Sequence, residues 1–146
     1  MKQEEAVHAF MDESYNCAQS TLLPFLKEYG ILENDGKRFA SVFGAGMGRM
    51  QETCGAVTGA FMVLGLEFGF TDPVDQEQRT LLLEKTKSFT GSFKNEFGTI
   101  KCRELLGCDL NTEEGQIKHK EENHRELICK ECVKFAVKTL EEIIGR

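Results

Sequence analysis

From Thr53 to about Gly69 the chain is almost wholly apolar, with no alternation of polar and apolar residues, yet it contains Gly55, Gly59 and Gly65. A half-buried strand alternates and a surface helix keeps a polar face, so a stretch that is apolar all round reads as a helix buried on every side. It is too short to cross a membrane. The run from Ala56 to Leu66 is broken by Thr58, Gly59 and Gly65 and stops at Glu67, against the ~20 apolar residues that a span requires. Glycine inside a helix costs about 1 kcal/mol relative to alanine, so its repetition indicates that another backbone passes close. Gly55, Ala56, Gly59 and Ala60 form a small-residue face that a second helix crosses, and the chain around such a core helix is a bundle.

The remaining pattern agrees. Val7, Phe10, Met11 and Ser14 share a helical face; Ala18, Leu22, Phe25, Leu26 and Tyr29 form the next, interrupted at Pro24 and ended by Gly30. Glu33 to Gly36 reads as a loop, Arg38 to Phe43 as a short helix ended by Gly44. Thr71-Asp72-Pro73 is a stop and restart, with Asp72 as N-cap and Pro73 at the first helical position. Leu81, Leu82, Phe89, Phe93 and Phe97 then trace a long amphipathic helix to Gly98. Thr99 caps a short helix that holds Cys102 and ends at Gly107, and Asn111-Thr112-Glu113-Glu114 opens a very polar helix or loop through Asn123. The last helix runs from Arg125 to Ile144 and buries Ile128, Cys132, Phe135, Ala136, Leu140 and Ile143. No strand, repeat or domain boundary is visible. At 146 residues the chain is one domain, able to bury a core without disulfides. The expected fold is all-α: a single domain over residues 1–146, a bundle of five to seven helices, with a Gly-rich loop before the buried small-residue helix.

Charge narrows the partners. The net charge is −6 with basic residues interspersed among acids, which leaves no basic surface for nucleic acid and argues against direct membrane insertion. Met1-Lys2-Gln3-Glu4-Glu5 lacks the basic-then-apolar pattern of a secretory signal, so the expectation is a cytoplasmic protein. Thiols stay reduced there, and six cysteines in such a chain point to redox chemistry or metal binding rather than to staples.

Cys17, Cys54 and Cys102 follow the capping residues Asn16, Thr53 and Thr99 and so lie at helix N-termini. Unpaired amides and the helix dipole there stabilise thiolate and can lower a cysteine pKa from ~8.5 to between ~3.5 and 7.5. Arg49 and Arg103 are close in sequence. Cys129 and Cys132 form a CxxC inside a helical pattern, on one face, spaced to join one metal ion; Cys132 also suits a plain core position. Four thiols, or three with His119 or His124, would satisfy zinc, but only Cys129 and Cys132 form a tight pair. His8, His119 and His124 read as solvated surface residues. Gly44 to Arg49 lacks the strand and spacing of a phosphate loop. Gly46, Gly48, Arg49 and Gly55 are instead the candidate residues that shape the space around Cys54 for a second thiol, a metal centre or a substrate.

Cys17, the stretch Gly46-Met47-Gly48-Arg49-Met50 through Cys54-Gly55-Ala56-Val57-Thr58-Gly59, Cys102 before Arg103-Glu104-Leu105-Leu106, and Cys132-Val133 together resemble the proteins named for the C_GCAxxG_C_C cysteine pattern, which are described as redox-active. The likeness covers essentially the whole chain, although the core reads Cys-Gly-Ala where the name has Gly-Cys-Ala. Cys108 and Cys129 are additions to the shared four, with Cys129 the alternative fourth. The resemblance implies a thiol or electron-transfer role with an unidentified redox partner. Cys17, Cys54, Cys102 and Cys132 are then the reactive set, with Cys54 expected at its centre because the flanking glycines give it the most accessible surroundings. Either they form reversible disulfides or, with Cys129, they ligate an iron–sulfur cluster or zinc. Two alternatives stay open: a metal-binding module without turnover, and a helical protein with structural cysteines that forms a homodimer.

Overall fold

The structure, a computed structural model, describes residues 1–146. It is all-helical: α1 (Lys2–Met11), α2 (Cys17–Leu22), α3 (Glu33–Ala40), α4 (Gly55–Phe68), α5 (Gln76–Phe97), α6 (Cys102–Leu106), α7 (Glu113–Glu121) and α8 (Lys130–Ile144), with a 3-10 segment at Leu23–Tyr29 and a π turn at Arg125–Cys129 that leads into α8. The eight helices exceed the expected five to seven because α3, α6 and α7 form separate short helices. No strand is present; Thr53 and Lys101 make one isolated antiparallel bridge. No helix is long and apolar enough to cross a membrane.

Local chemistry accounts for the boundaries. Asn16 caps α2 reciprocally: its Oδ1 accepts from the Gln19 N–H at 2.8 Å while Gln19 Oε1 accepts from the Asn16 N–H at 3.0 Å. Pro24 has no N–H to continue an α-helix, and the chain tightens into the 3-10 segment that Gly30 ends at φ 68°. Four expectations shift. Glu33 to Gly36 is helix, not loop, because extended Leu32 starts α3 and Glu33 and Asp35 suit the positive end of its dipole. That helix stops at Ala40, before Phe43. Asp72 accepts from the Val74 N–H within a turn, and Asp75 is the N-cap of α5. Thr53 and Thr99 cap nothing: Cys54 and Lys101 occupy those N-cap positions, while Thr99 Oγ1 accepts from the Lys101 N–H and donates to Glu104.

The apolar helix α4 is central, with α2, α5 and α8 packed around it and α1 against α8. Its small-residue face is where α2 crosses. A Cβ on Gly59 would lie 2.7 Å from the Ala18 carbonyl oxygen, and one on Gly55 2.9 Å from Cys17 Cβ. Phe61 of α4, Phe89, Phe93 and Phe97 of α5, and Phe135 of α8 pack ring against ring, mostly edge to face, with centroids 4.7 to 6.3 Å apart. This aromatic column fills one side of the bundle and leaves the N-terminal ends of α2, α4 and α6 to meet elsewhere.

Candidate functional site

The segment before α4 takes a conformation that the glycines signal without revealing. Ala45, Gly46, Met47, Gly48, Arg49 and Gln51 all have φ between 51° and 69°. Non-glycine residues in that region cost of order 1–3 kcal/mol each, so other contacts must offset the strain. They do so by fastening the loop to residues 100–111. The Cys54 N–H donates to the Ile100 carbonyl at 2.7 Å, the Cys102 N–H to that of Glu52 at 2.7 Å, and the Arg103 N–H to that of Gln51 at 3.1 Å. Gln51, itself buried, closes the junction: its Nε2 donates to the Cys108 carbonyl at 2.9 Å and its Oε1 accepts from the Leu110 N–H at 2.8 Å. Nothing in the sequence marks this residue. Gln51→Leu leaves both backbone groups without partners, at about 1–3 kcal/mol each, so its unfolding free energy is expected to fall by roughly 2–6 kcal/mol in denaturant titration; an unchanged unfolding free energy would remove Gln51 from this role.

Fastened in this way, Cys54 and Cys102 stand beside Cys17, Cys129 and Cys132, and all five line one cavity of about 150 Å³. Its walls are mostly apolar, from Phe10, Leu105, Leu106, Leu110 and Ile128, with Asn16, His119 and Arg125 as the polar contributors. Cys54, Cys102 and Cys132 are buried, whereas Cys17 and Cys129 are half-buried. Gly55 lines the cavity, Gly46 sits under the Gln51 backbone, and Gly48 is left-handed and exposed. Arg49 is turned away, its Nη2 donating to the Leu110 carbonyl at 2.8 Å. The open surroundings expected at Cys54 are not found: it is 6% exposed, because the glycines serve close backbone approach.

The thiols meet in twos. Cys54 pairs with Cys132, and the hydrogen bond from the Cys132 thiol, aided by the Ala56 and Val57 amides at the start of α4, holds Cys54 below the usual thiol range in spite of burial. Cys132 is correspondingly driven up, first by that hydrogen bond and then by burial. Cys17 pairs with Cys129, which with burial raises the Cys17 thiol. Burial pushes Cys102 up to about 12, with the neighbouring Cys54 and Cys129 adding to it. Both members of the CxxC therefore belong to the site, each with a different partner.

Cys108 lies outside this cavity, in a small cluster with Cys102, Leu106 and Leu110. Its Sγ is 3.9 Å from His124 Nδ1, and His124 Nε2 is 3.0 Å from Glu122. His8 is exposed as expected, but His124 is buried, because Asn123 turns the chain at φ 51° and folds the residue inward. His119 is also not a surface residue: its ring lines the thiol cavity and its Nδ1 is buried with no hydrogen-bond partner. Burial, with the charges of His124 and Arg125, lowers its pKa and keeps it neutral.

Thiol donors suit zinc and iron–sulfur clusters chemically, but the arrangement does not. No group of three His, Cys, Asp or Glu side chains is placed to hold a metal ion, whereas zinc needs four ligands and a cubane cluster four thiolates.

A family model described as "Putative redox-active protein (C_GCAxxG_C_C)" matches residues 15–143. No curated protein and no solved structure matches the chain.

Proposed function

Since the chain belongs to the C_GCAxxG_C_C redox-active family, we propose that it is a thiol–disulfide redox protein whose working dithiol is Cys54 with Cys132. The supporting observation is the pairing itself: a thiol held toward thiolate beside one held protonated, at the wall of a cavity lined by five cysteines. Thiolate attacks and thiol does not. Cys54 thiolate attacks one sulfur of a substrate disulfide and displaces the other as thiolate, giving a mixed disulfide. Cys132 then loses its proton and attacks Cys54 Sγ. The second substrate thiolate leaves and a Cys54–Cys132 disulfide remains. Two electrons have passed from protein to substrate; the Cys132 proton ends on one substrate thiolate, and water protonates the other. His119, whose buried Nδ1 has no hydrogen-bond partner, lines the same cavity. Cys102, kept protonated by burial, packs beside the pair.

The direct test is equilibration of the protein in glutathione buffers of graded potential, followed by alkylation and mass mapping. A single two-electron transition that links Cys54 to Cys132 supports the reading. Iron with acid-labile sulfide in anaerobically prepared protein, or thiols that stay alkylatable at every potential, would overturn it.

A further inference from the structure

The proposed dithiol leaves a second thiol pair unexplained. Cys17 and Cys129 also interact with each other, at the same cavity, but both are half-buried where Cys54 and Cys132 are buried, Cys132 to 1% exposure. The two pairs are not independent in the chain. Cys129 ends the π turn and Cys132 lies in the first turn of α8, so the two occupy one face of a continuous helical segment and both reach the cavity. A helix brings residues three apart to neighbouring positions, and this spacing places one member of the outer pair beside one member of the inner pair.

We infer that Cys17 and Cys129 form a second, partner-facing dithiol, and that the CxxC of Cys129 and Cys132 passes disulfides between it and the buried Cys54–Cys132 pair. This rests on the dithiol reading above and adds the route by which a macromolecular partner reaches the inner pair. The exchange balances. With the inner pair oxidised and the outer pair reduced, Cys129 thiolate attacks Cys132 Sγ, forming a Cys129–Cys132 disulfide and releasing Cys54 as thiolate. Cys17 then gives up its proton and attacks Cys129 Sγ, forming the Cys17–Cys129 disulfide, and the departing Cys132 sulfur takes that proton. One S–S bond is present throughout and no electrons are gained or lost. An external dithiol reduces the outer disulfide: its first thiolate displaces Cys17 from Cys129, its second displaces Cys129, and it departs as a disulfide carrying two electrons fewer. The chain then holds four exchangeable electrons, two in each pair.

The test starts from protein oxidised with diamide and follows each pair, by timed alkylation and mass mapping, during reduction by thioredoxin, which is too large to enter the cavity, or by a small phosphine. In the unaltered protein thioredoxin is expected to open the outer disulfide first and the inner one after it. In Cys129→Ser the inner disulfide is expected to open roughly tenfold more slowly with thioredoxin and at an unchanged rate with the phosphine, since only the exchange route is lost. Cys17→Ser is expected to keep thioredoxin access to the inner pair, because Cys129 remains to attack Cys132. Inner reduction at the unaltered rate in Cys129→Ser, or equal loss in both variants, would overturn the relay. Failure of diamide to link Cys54 to Cys132 at all would count against the dithiol itself.

Discussion

Cys54→Ser protein is expected to form no disulfide with Cys132 and to lose the cavity thiol that alkylates fastest below pH 8. The geometry makes the loss specific. Cys54 is the N-cap of α4, where the Ala56 and Val57 amides converge, and it accepts from the Cys132 thiol, which is the largest single influence on it. Burial opposes ionisation but is outweighed. The sign of the pH dependence follows. A free thiol is half ionised near ~8.5; Cys54 lies lower, so its reaction with iodoacetamide should persist below the pH at which an ordinary cysteine falls silent. Cys132→Ala removes the donor and should move the Cys54 rate profile up in pH. Cys132→Ser keeps a hydroxyl donor and should move it less. Residue-resolved alkylation rates across pH measure all three variants. A Cys54 profile that Cys132→Ala leaves in place would mean that the helix start alone sets its acidity.

Gly59→Ala is expected to destabilise the fold by about 1–3 kcal/mol, the reverse of what a glycine-to-alanine change usually does inside a helix. The added methyl would stand 2.7 Å from the Ala18 carbonyl oxygen and 3.1 Å from Thr21 Cβ. The nearest atom belongs to a backbone and cannot rotate away, so α2 must shift and carry Cys17 with it. Gly91 supplies the control. It lies in the middle of α5, exposed, with nothing within 4 Å of where a methyl would stand, and Gly91→Ala should stabilise by up to about 1 kcal/mol. Denaturant midpoints of opposite sign for the two variants check the packing; the same sign in both would mean that α2 is not held against α4 as described.

Much of the architecture is legible in the sequence because it depends on short-range rules. The small residues of α4, the Asn16 and Thr112 caps, the break at Pro24 and the left-handed stop at Gly30 are each decided within a few residues. Sequence and structure part where several capping candidates compete. Asp72 and Asp75 are both competent N-caps, and the one that starts α5 is settled by how the preceding turn closes. Glu33 to Gly36 resembles a loop because asparagine, aspartate and glycine also favour turns; in the structure they form the first turns of α3. The charged neighbours of His119 and His124 suggest a surface position for both, but those neighbours cover the outside of α7 while the two rings turn inward.

Three features follow from the order of residues alone: the helical class, the crossing of a second backbone over α4, and the position of Cys17, Cys54 and Cys102 at helix starts. Periodicity, side-chain size and capping act between near neighbours, so each leaves a local signature. Which thiols meet is a matter of helix packing instead. Cys54 and Cys132 are separated by the whole of α4, α5, α6 and α7, and their pairing depends on how α8 packs along α4 and on the buried Gln51 that fastens the Cys54 loop to the Cys102–Leu110 segment. A contact between residues so distant in the chain is set by the packing of whole helices, and no local pattern encodes it.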